Sequence, residues 1–220
     1  KDDGVCDPVI ISVSSSEVYG NPTKDEIPIT ESNPIRAANP YSISKVGHDL
    51  MSQYYYSAYD MKVITTRMFS HEGKRRGKLF ALSSFAFQIV KHEKSKDFGK
   101  EGSWYEVYHG NLNSVRTYNH IDDAVRAYWL AVSKCDYGEV YNVGGRVEWE
   151  MDIKQYSDIV LKVTGKEDSL VEYKEAEAFT TKIKTVDFSK AIKDLDHNPI
   201  VEPEEGIRRT AKWMKNFYRL

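Results

Sequence analysis

Cysteine is almost absent: Cys6 and Cys135 are the only two in 220 residues, and they form neither a C-x-x-C pair nor a disulfide framework. A disulfide-held scaffold is excluded, and a reduced, cytosolic setting is expected. A charge excess of one sign is missing too. Lys and Arg total 31 against 33 acidic residues, a net charge of -2, which argues against nucleic acid as a partner. No apolar run approaches the roughly 20 residues of a membrane span. The opening Lys1-Asp2-Asp3-Gly4 does not read as a signal peptide, so no membrane partner is expected. Repeats, low-complexity tracts and a clear linker are lacking. Among 13 glycines there is no G-x-G-x-x-G or G-x-x-G-x-x-G; the nearest spacing is Gly99 to Gly102, in the polar segment 97–103.

What is present suits a folded chain, since 40% hydrophobic residues with 12% aromatics provide for a core. Val9-Ile10-Ile11-Ser12-Val13 is β-branched and apolar, which predicts a strand buried on both faces of a parallel sheet. Such a strand needs neighbours reached through crossovers, and nothing ahead of it in this sequence supplies one. Either later strands flank it, or the sheet begins in residues outside this sequence. Pro40 to about Ala58 reads as a helix with Asn39 as its N-cap. Strands are expected at 62–69, 105–109 and 139–143. Further helices are expected from Leu79 to about Glu93 and from Ile121 to Ser133, the second opened by Asp122 and Asp123. Others run from about Asp152 to Thr164 with Gly165 past the end, from Asp187 to Leu195 and from Pro203 to Arg219. Strands alternating with helices predict an α/β fold.

Several groups could carry chemistry. Ser14-Ser15-Ser16-Glu17 follows the first strand, at the end where open α/β sheets place ligands. A polar turn is the plain alternative. Tyr41 and Lys45 lie four apart, so they share a helix face, and an ammonium beside a phenol favours the phenolate as a general base. With 15 tyrosines and 31 basic residues, about two Tyr-x-x-x-(Lys/Arg) pairs arise by chance, so position and not spacing makes this pair informative. Arg75 and Arg76 form a doublet between Gly73 and Gly77, either a solvated turn or a fork for phosphate. Arg116, with Asn111, stands in a polar segment that leads into a helix. The six histidines show no metal-ligand spacing. Tyr54-Tyr55-Tyr56 is expected to pack a helix against the sheet with one ring exposed.

The order of these groups is specific. Ser-Ser-Ser-Glu-Val-Tyr-Gly (14–20), a loop punctuated by Pro22, Pro28 and Pro34, then Asn39-Pro40-Tyr41-Ser42-Ile43-Ser44-Lys45 resembles the extended short-chain dehydrogenase/reductase superfamily, whose members modify nucleotide sugars. Arg67-Met68-Phe69-Ser70-His71-Glu72-Gly73-Lys74-Arg75-Arg76-Gly77 is similar to a loop of GDP-mannose 4,6-dehydratases and GDP-sugar reductases. Gly110-Asn111-Leu112, Arg116, the 122–129 segment, Gly138 to Gly144 and Asp187-Phe188-Ser189-Lys190-Ala191 continue the likeness.

The resemblance implies the C-terminal two-thirds of a Rossmann-like doubly wound sheet with a smaller substrate-binding α/β region. Residues 1–70 would be the remainder of the dinucleotide-binding domain. Residues 71–220 would mainly bind nucleotide sugar, with 111–145 partly returning to the sheet. About a hundred residues bearing the Gly-rich turn would precede Lys1. Catalytic roles fall to Ser15, Ser16, Glu17, Tyr41 and Lys45. Ser15 would contact the substrate 4-hydroxyl, Tyr41 would deprotonate it, and Glu17 would take the C5 proton and help expel the 6-hydroxyl. Ser16 stands where GDP-mannose enzymes carry serine and dTDP-glucose enzymes an acid. Tyr41, Lys45, Arg75 and Arg76 would hold NADP or NAD; Ser70, Asn111 and Arg116 would hold the substrate, a GDP-sugar in preference; a homo-oligomer is expected. A GDP-4-keto-6-deoxyhexose reductase, an epimerase and a non-catalytic remnant are the alternatives. The sequence departs from the family pattern at Ser70 (usually asparagine), Gly73-Lys74 (a motif ending in proline), Thr117 (an aspartate) and Lys184 (often arginine). Because residues 1–220 contain no Gly-rich turn to cradle a pyrophosphate, calorimetry of this chain with NAD or NADP is expected to show weak or no binding. A tight, saturable heat would overturn that expectation.

Overall fold

A computed structural model of the chain describes residues 4, 6–92, 105–109, 111–166, 171–175 and 183–219. The segment 97–103, Gly110 and Glu93 of the expected features lie outside the described residues. In chain order the first elements are β1 (Ile10–Ser15), α1 (Pro40–Tyr59), β2 (Val63–Met68) and α2 (Ala81–His92). Next come β3 (Tyr105–His109), β4 (Val115–Thr117), α3 (Ile121–Lys134) and β5 (Val140–Val143). The last are β6 (Glu150–Asp152), α4 (Ile153–Thr164), β7 (Val171–Glu175), β8 (Ile183–Lys184), α5 (Ser189–Leu195) and α6 (Pro203–Phe217).

Local chemistry explains the helix limits. Asn39 Oδ1 accepts from Ser42 N–H at 2.8 Å, Ser42 Oγ accepts from Asn39 N–H at 2.9 Å, and Pro40 takes the first helical position. Asp152 and Gln155 form the same reciprocal cap on α4, which stops at Gly165 in the left-handed region.

The central sheet is parallel, in the order β1-β2-β5, giving the α/β Rossmann-like arrangement. Here one expectation fails. Among the described residues β1 lies at a sheet edge with β2 as its one partner, so Ile10 and Ile11 are half-buried and Val13 is 43% exposed. Both α1 and α3 contact the strand, yet the Val13 side chain stays open. Its buried side chains are Ser12, Ser14 and Ser15.

Helix α1 covers this strand with a polar face, burying Ser42, Asp49 and Ser52. Tyr54, Tyr55 and Tyr56 consequently point outward, 53, 43 and 40% exposed. The expected packing of that run against the sheet is corrected: the sheet-facing arc of α1 is already occupied by hydrogen-bonding groups.

On the other side, α3 turns Ala124, Ala127 and Ala131 inward at helical spacing, next to Ile64, Met68, Tyr141 and Val143. A second core gathers α2, α4 and α6 around Phe85, Ile89, Val107, Tyr156, Val160, Ile207 and Met214. Burying a side chain such as Phe85 contributes about 1.5–3 kcal/mol. Two smaller sheets edge this region: β3 pairs with β7, and β6-β4-β8 form a mixed trio. The turn after β5 lies so close to the strand exit at Tyr118 that a Cβ on Gly145 would sit 1.5 Å from the Tyr118 carbonyl oxygen.

Glu72 stitches the loop after β2 to this second region. Its N–H donates to Asn119 O at 2.9 Å, and its own carbonyl accepts from Ile121 N–H at 2.7 Å. Its carboxylate is buried, accepts the Ser83 hydroxyl at 2.7 Å and faces Arg76 Nε at 3.6 Å. Burial pushes the carboxyl up to about 7, with Ser83 and Arg76 opposing. A carboxyl that binds its proton more tightly when folded adds stability below its unfolded value of 4.5, and that stability is lost as pH rises through about 7. The difference is on the order of 3 kcal/mol. Urea denaturation from pH 4.5 to 8 is expected to show this decline in the wild type and a flatter profile in Glu72→Gln. Identical slopes would remove Glu72 as its source.

Candidate active site

Strand β1 ends in Ser14 and Ser15, and the chain turns at once into a short 3-10 segment, Ser16–Tyr19. Ser15 Oγ caps it, accepting from Glu17 N–H at 3.2 Å. Gly20 closes it at φ 59°, where a Cβ would lie 1.8 Å from Arg36 O. Ser15 and Ser16 are buried, whereas the Glu17 side chain keeps 35% of its surface open. The carboxylate therefore stands at the carboxyl end of a parallel strand, on a turn whose conformation its own backbone helps to close.

The first turns of α1 supply the second group. Lys45 Nζ donates to Val13 O at 2.8 Å and lies 5.9 Å from the centre of the Tyr41 ring. The Tyr41 ring is 55% exposed. Since α1 also packs against the 16–19 turn, the lysine reaches the β1 backbone two residues before Ser15. Tyr41 and Lys45 thus stand on the helix that packs on β1 and on the turn bearing Glu17.

A third group arrives from β8 and β4. Lys184, itself buried, donates from Nζ to Glu17 Oε1. Arg116 is the cross-strand partner of Lys184 in the parallel β4–β8 ladder. Burial lowers both cations from their usual range, and the negative charge of Glu17 opposes that in each case. Arg116 Nη1 also donates to Val115 O at 2.7 Å. Ser70 and Arg116 line a small cavity of about 10 Å³ with Thr117, Tyr118 and Tyr156, close to the space of one water.

The remaining expected residues lie elsewhere. Arg76 turns inward toward Glu72 and stacks its guanidinium 3.6 Å from the centre of the Phe80 ring. Arg75 is exposed at φ 70°. Neither has a hydrogen bond or ion pair with Glu17, Tyr41 or Lys45. Asn111 shapes a turn, its Oδ1 accepting from Asn113 N–H at 3.0 Å. Among the described residues no cluster of histidine, cysteine or carboxylate side chains has the form of a metal site, and no helix is long and apolar enough to cross a membrane.

Sequence reasoning missed three partners. Lys184 stood out as a departure but not as the ion-pair partner of Glu17. Asp49, one turn beyond Lys45, is buried and bound by Arg67, Ser14 and Gln53. That position, four residues after Lys45 on a face otherwise poor in charge, was the available signal. Glu72 carried no signal beyond its motif.

Known proteins show the same organisation. The family model described as GDP-mannose 4,6 dehydratase matches residues 6–210. The dTDP-glucose 4,6-dehydratase of Actinoplanes sp. is 27% identical over 205 residues, covering 93% of this chain and 59% of that protein. The structure of dTDP-glucose 4,6-dehydratase (rfbB) from Bacillus anthracis, in complex with NAD, has a TM-score of 0.80 at 25% identity over 96% of this chain and 63% of its own. RMD from Pseudomonas aeruginosa, complexed with NADPH, has a TM-score of 0.85 at 19% identity over 98% and 69%, a likeness of fold alone. The chain spans 56–59% of the first curated relatives it matches. The parallel sheet, the strand-end turn bearing Glu17 and the match across residues 6–210 lead to one assignment: the chain belongs to the GDP-mannose 4,6 dehydratase family, within the extended short-chain dehydrogenase/reductase superfamily of nucleotide-sugar enzymes.

Proposed function

We propose that this chain carries the catalytic residues of a nucleotide-sugar 4,6-dehydratase, with GDP-mannose or a close GDP-hexose as substrate. The observation that carries the reading is Glu17: a carboxylate at the carboxyl end of β1, partly open, gripped on one oxygen by Lys184, on a turn that packs against the helix bearing Tyr41 and Lys45. A simple oxidoreductase needs only the tyrosine and lysine. A base beside C5 adds elimination, because the C5 proton becomes acidic once C4 is a ketone.

The exposed Tyr41 ring with Lys45 below it, at the carboxyl edge of a parallel sheet, fits the nicotinamide-ribose end of NAD or NADP. When bound, that group supplies the hydride acceptor for C4 and the hydride donor for C6. In the proposed reaction Ser15 orients the 4-hydroxyl, and Tyr41 removes its proton. Glu17 then takes the proton from C5 and passes it to the departing 6-hydroxyl, which leaves as water; reprotonated from solvent, it returns a proton to C5 as C6 is reduced. Lys45 holds the ribose and faces Tyr41, while Lys184 holds Glu17 and Arg116 presents positive charge to the diphosphate. Ser70 and Asn111 complete the substrate side, and the exposed Arg75 together with Arg76 is assigned to cofactor phosphate. A homo-oligomer in the cytoplasm is part of the same reading.

Ser16 in place of an acid supports a GDP-sugar. The dTDP-glucose 4,6-dehydratases among the relatives favour a second reading, with dTDP-glucose as substrate. Incubating the full-length protein and cofactor with each sugar nucleotide separates the two. A 4-keto-6-deoxy product from GDP-mannose with no net change in reduced-nicotinamide absorbance is expected. Product from dTDP-glucose alone would transfer the assignment to the second substrate. Turnover only of a 4-keto sugar with stoichiometric NADPH would show a reductase instead. Glu17→Gln is expected to lower dehydration by about 100-fold or more; full activity in that variant would remove the mechanism.

A further inference from the structure

Arg67 touches none of the groups assigned to chemistry, yet it joins the two elements that carry them. It projects from β2, opposite Ser14 in the parallel register with β1, and is buried. Nε and Nη2 donate to Asp49 Oδ2 and Oδ1 at 2.8 and 3.1 Å. Nη1 donates to the Tyr19 hydroxyl at 2.9 Å and to Glu31 O at 3.1 Å. Asp49 is one turn beyond Lys45 and two beyond Tyr41, on the same side of α1. Tyr19 closes the 3-10 turn that holds Glu17. A single planar guanidinium therefore spans from the helix of the tyrosine and lysine to the turn of the carboxylate.

We propose that Arg67 is a positioning residue, setting the Tyr41–Lys45 pair against Glu17; the proposal rests on the dehydratase reading above. The contacts on both sides are saturated. Asp49 also accepts the Ser14 hydroxyl at 2.9 Å and Gln53 Nε2 at 2.7 Å, and Tyr19 donates in turn to Asn142 Oδ1 at 2.7 Å. Burial pushes the Asp49 carboxyl upward, but Arg67, Ser14 and Gln53 together hold it below its ordinary value. A fork with four of its five N–H groups donating, on both arms, fixes the separation between them, which lysine cannot reproduce with a single ammonium. Displacement of a reacting group by about 1 Å costs on the order of 100-fold in rate.

The test separates positioning from support of the fold. In the double variant Arg67→Met/Asp49→Leu, both charges are replaced by apolar groups of similar volume, a change that commonly leaves stability intact. Its Tm is expected near that of the wild type, with kcat in the full-length protein down about 100-fold and KM within about twofold. Tyr19→Phe cuts the arm to the Glu17 turn, together with the Tyr19–Asn142 bond, and leaves the Arg67–Asp49 pair in place. It is expected to slow solvent-deuterium exchange at C5 more than oxidation at C4. A crystal structure of the double variant should show the 16–19 turn displaced relative to Lys45. Wild-type kcat in a folded double variant, equal loss of both steps in Tyr19→Phe, or an unmoved turn would each overturn the proposal. Should the double variant not fold, Tyr19→Phe and Arg67→Lys carry the same comparison. A wild type inert toward every nucleotide sugar would overturn the dehydratase reading instead, and the crystal structure would still decide the geometric claim.

Discussion

Arg67 and Asp49 meet between β2 and α1 with almost no exposure to water. Stripping the solvent from two such ions costs several kcal/mol each, and their attraction offsets that only when the remaining lone pairs and protons find partners. Here they do: the carboxylate takes four hydrogen bonds, and three guanidinium nitrogens donate. The consequence runs through the whole first half of the fold. Helix α1 must lay its polar arc on the sheet, so Ser12 meets Ser52, and Ser14 meets Asp49, where aliphatic contacts would otherwise form. Most of its apolar and aromatic residues are left on the outside, Val46 excepted.

The site depends on a second junction, between the sheet and the β6-β4-β8 trio. Lys184 is followed by Thr185 and Val186, which pair with Ile29: Ile29 N–H donates to Thr185 O at 3.1 Å, and Asp187 N–H to Ile29 O at 2.9 Å. Ile29 O also accepts from Asn142 Nδ2 at 3.1 Å, beneath β5. This short chain of backbone bonds brings a cation encoded 167 positions after Glu17 to its carboxylate. The same bonds place Arg116 beside it, because β4 and β8 share a ladder.

Much of this was legible in the sequence wherever the signal is local. Asn39-Pro40, the Asp152-Gln155 pair and Gly165 mark helix ends through hydrogen bonds that span three or four residues, and the structure places those ends within a residue or two. The Ser15–Glu17 turn and the Tyr41–Lys45 spacing were equally plain. The failures share one cause. Burial of Val13 and of Tyr54, Tyr55 and Tyr56 depends on which neighbour lies across from them, and composition cannot report that. Lys184, Arg67 and Glu72 acquire their character from partners distant in the chain, so each looked like an ordinary polar residue.

Strands β2 and β5 are hydrogen-bonded neighbours, yet residues 69–139 intervene, together with much of the second core. Strand β1, helix α1 and strand β2 are consecutive, joined by the long segment 16–39 and the short segment 60–62. Bringing β2 to β5 closes a longer stretch of chain than bringing β1 to β2, although loop entropy grows only slowly with length. The segment bearing the tyrosine, lysine and glutamate is complete by Met68, whereas the cation that grips the glutamate is encoded more than a hundred residues later, in β8.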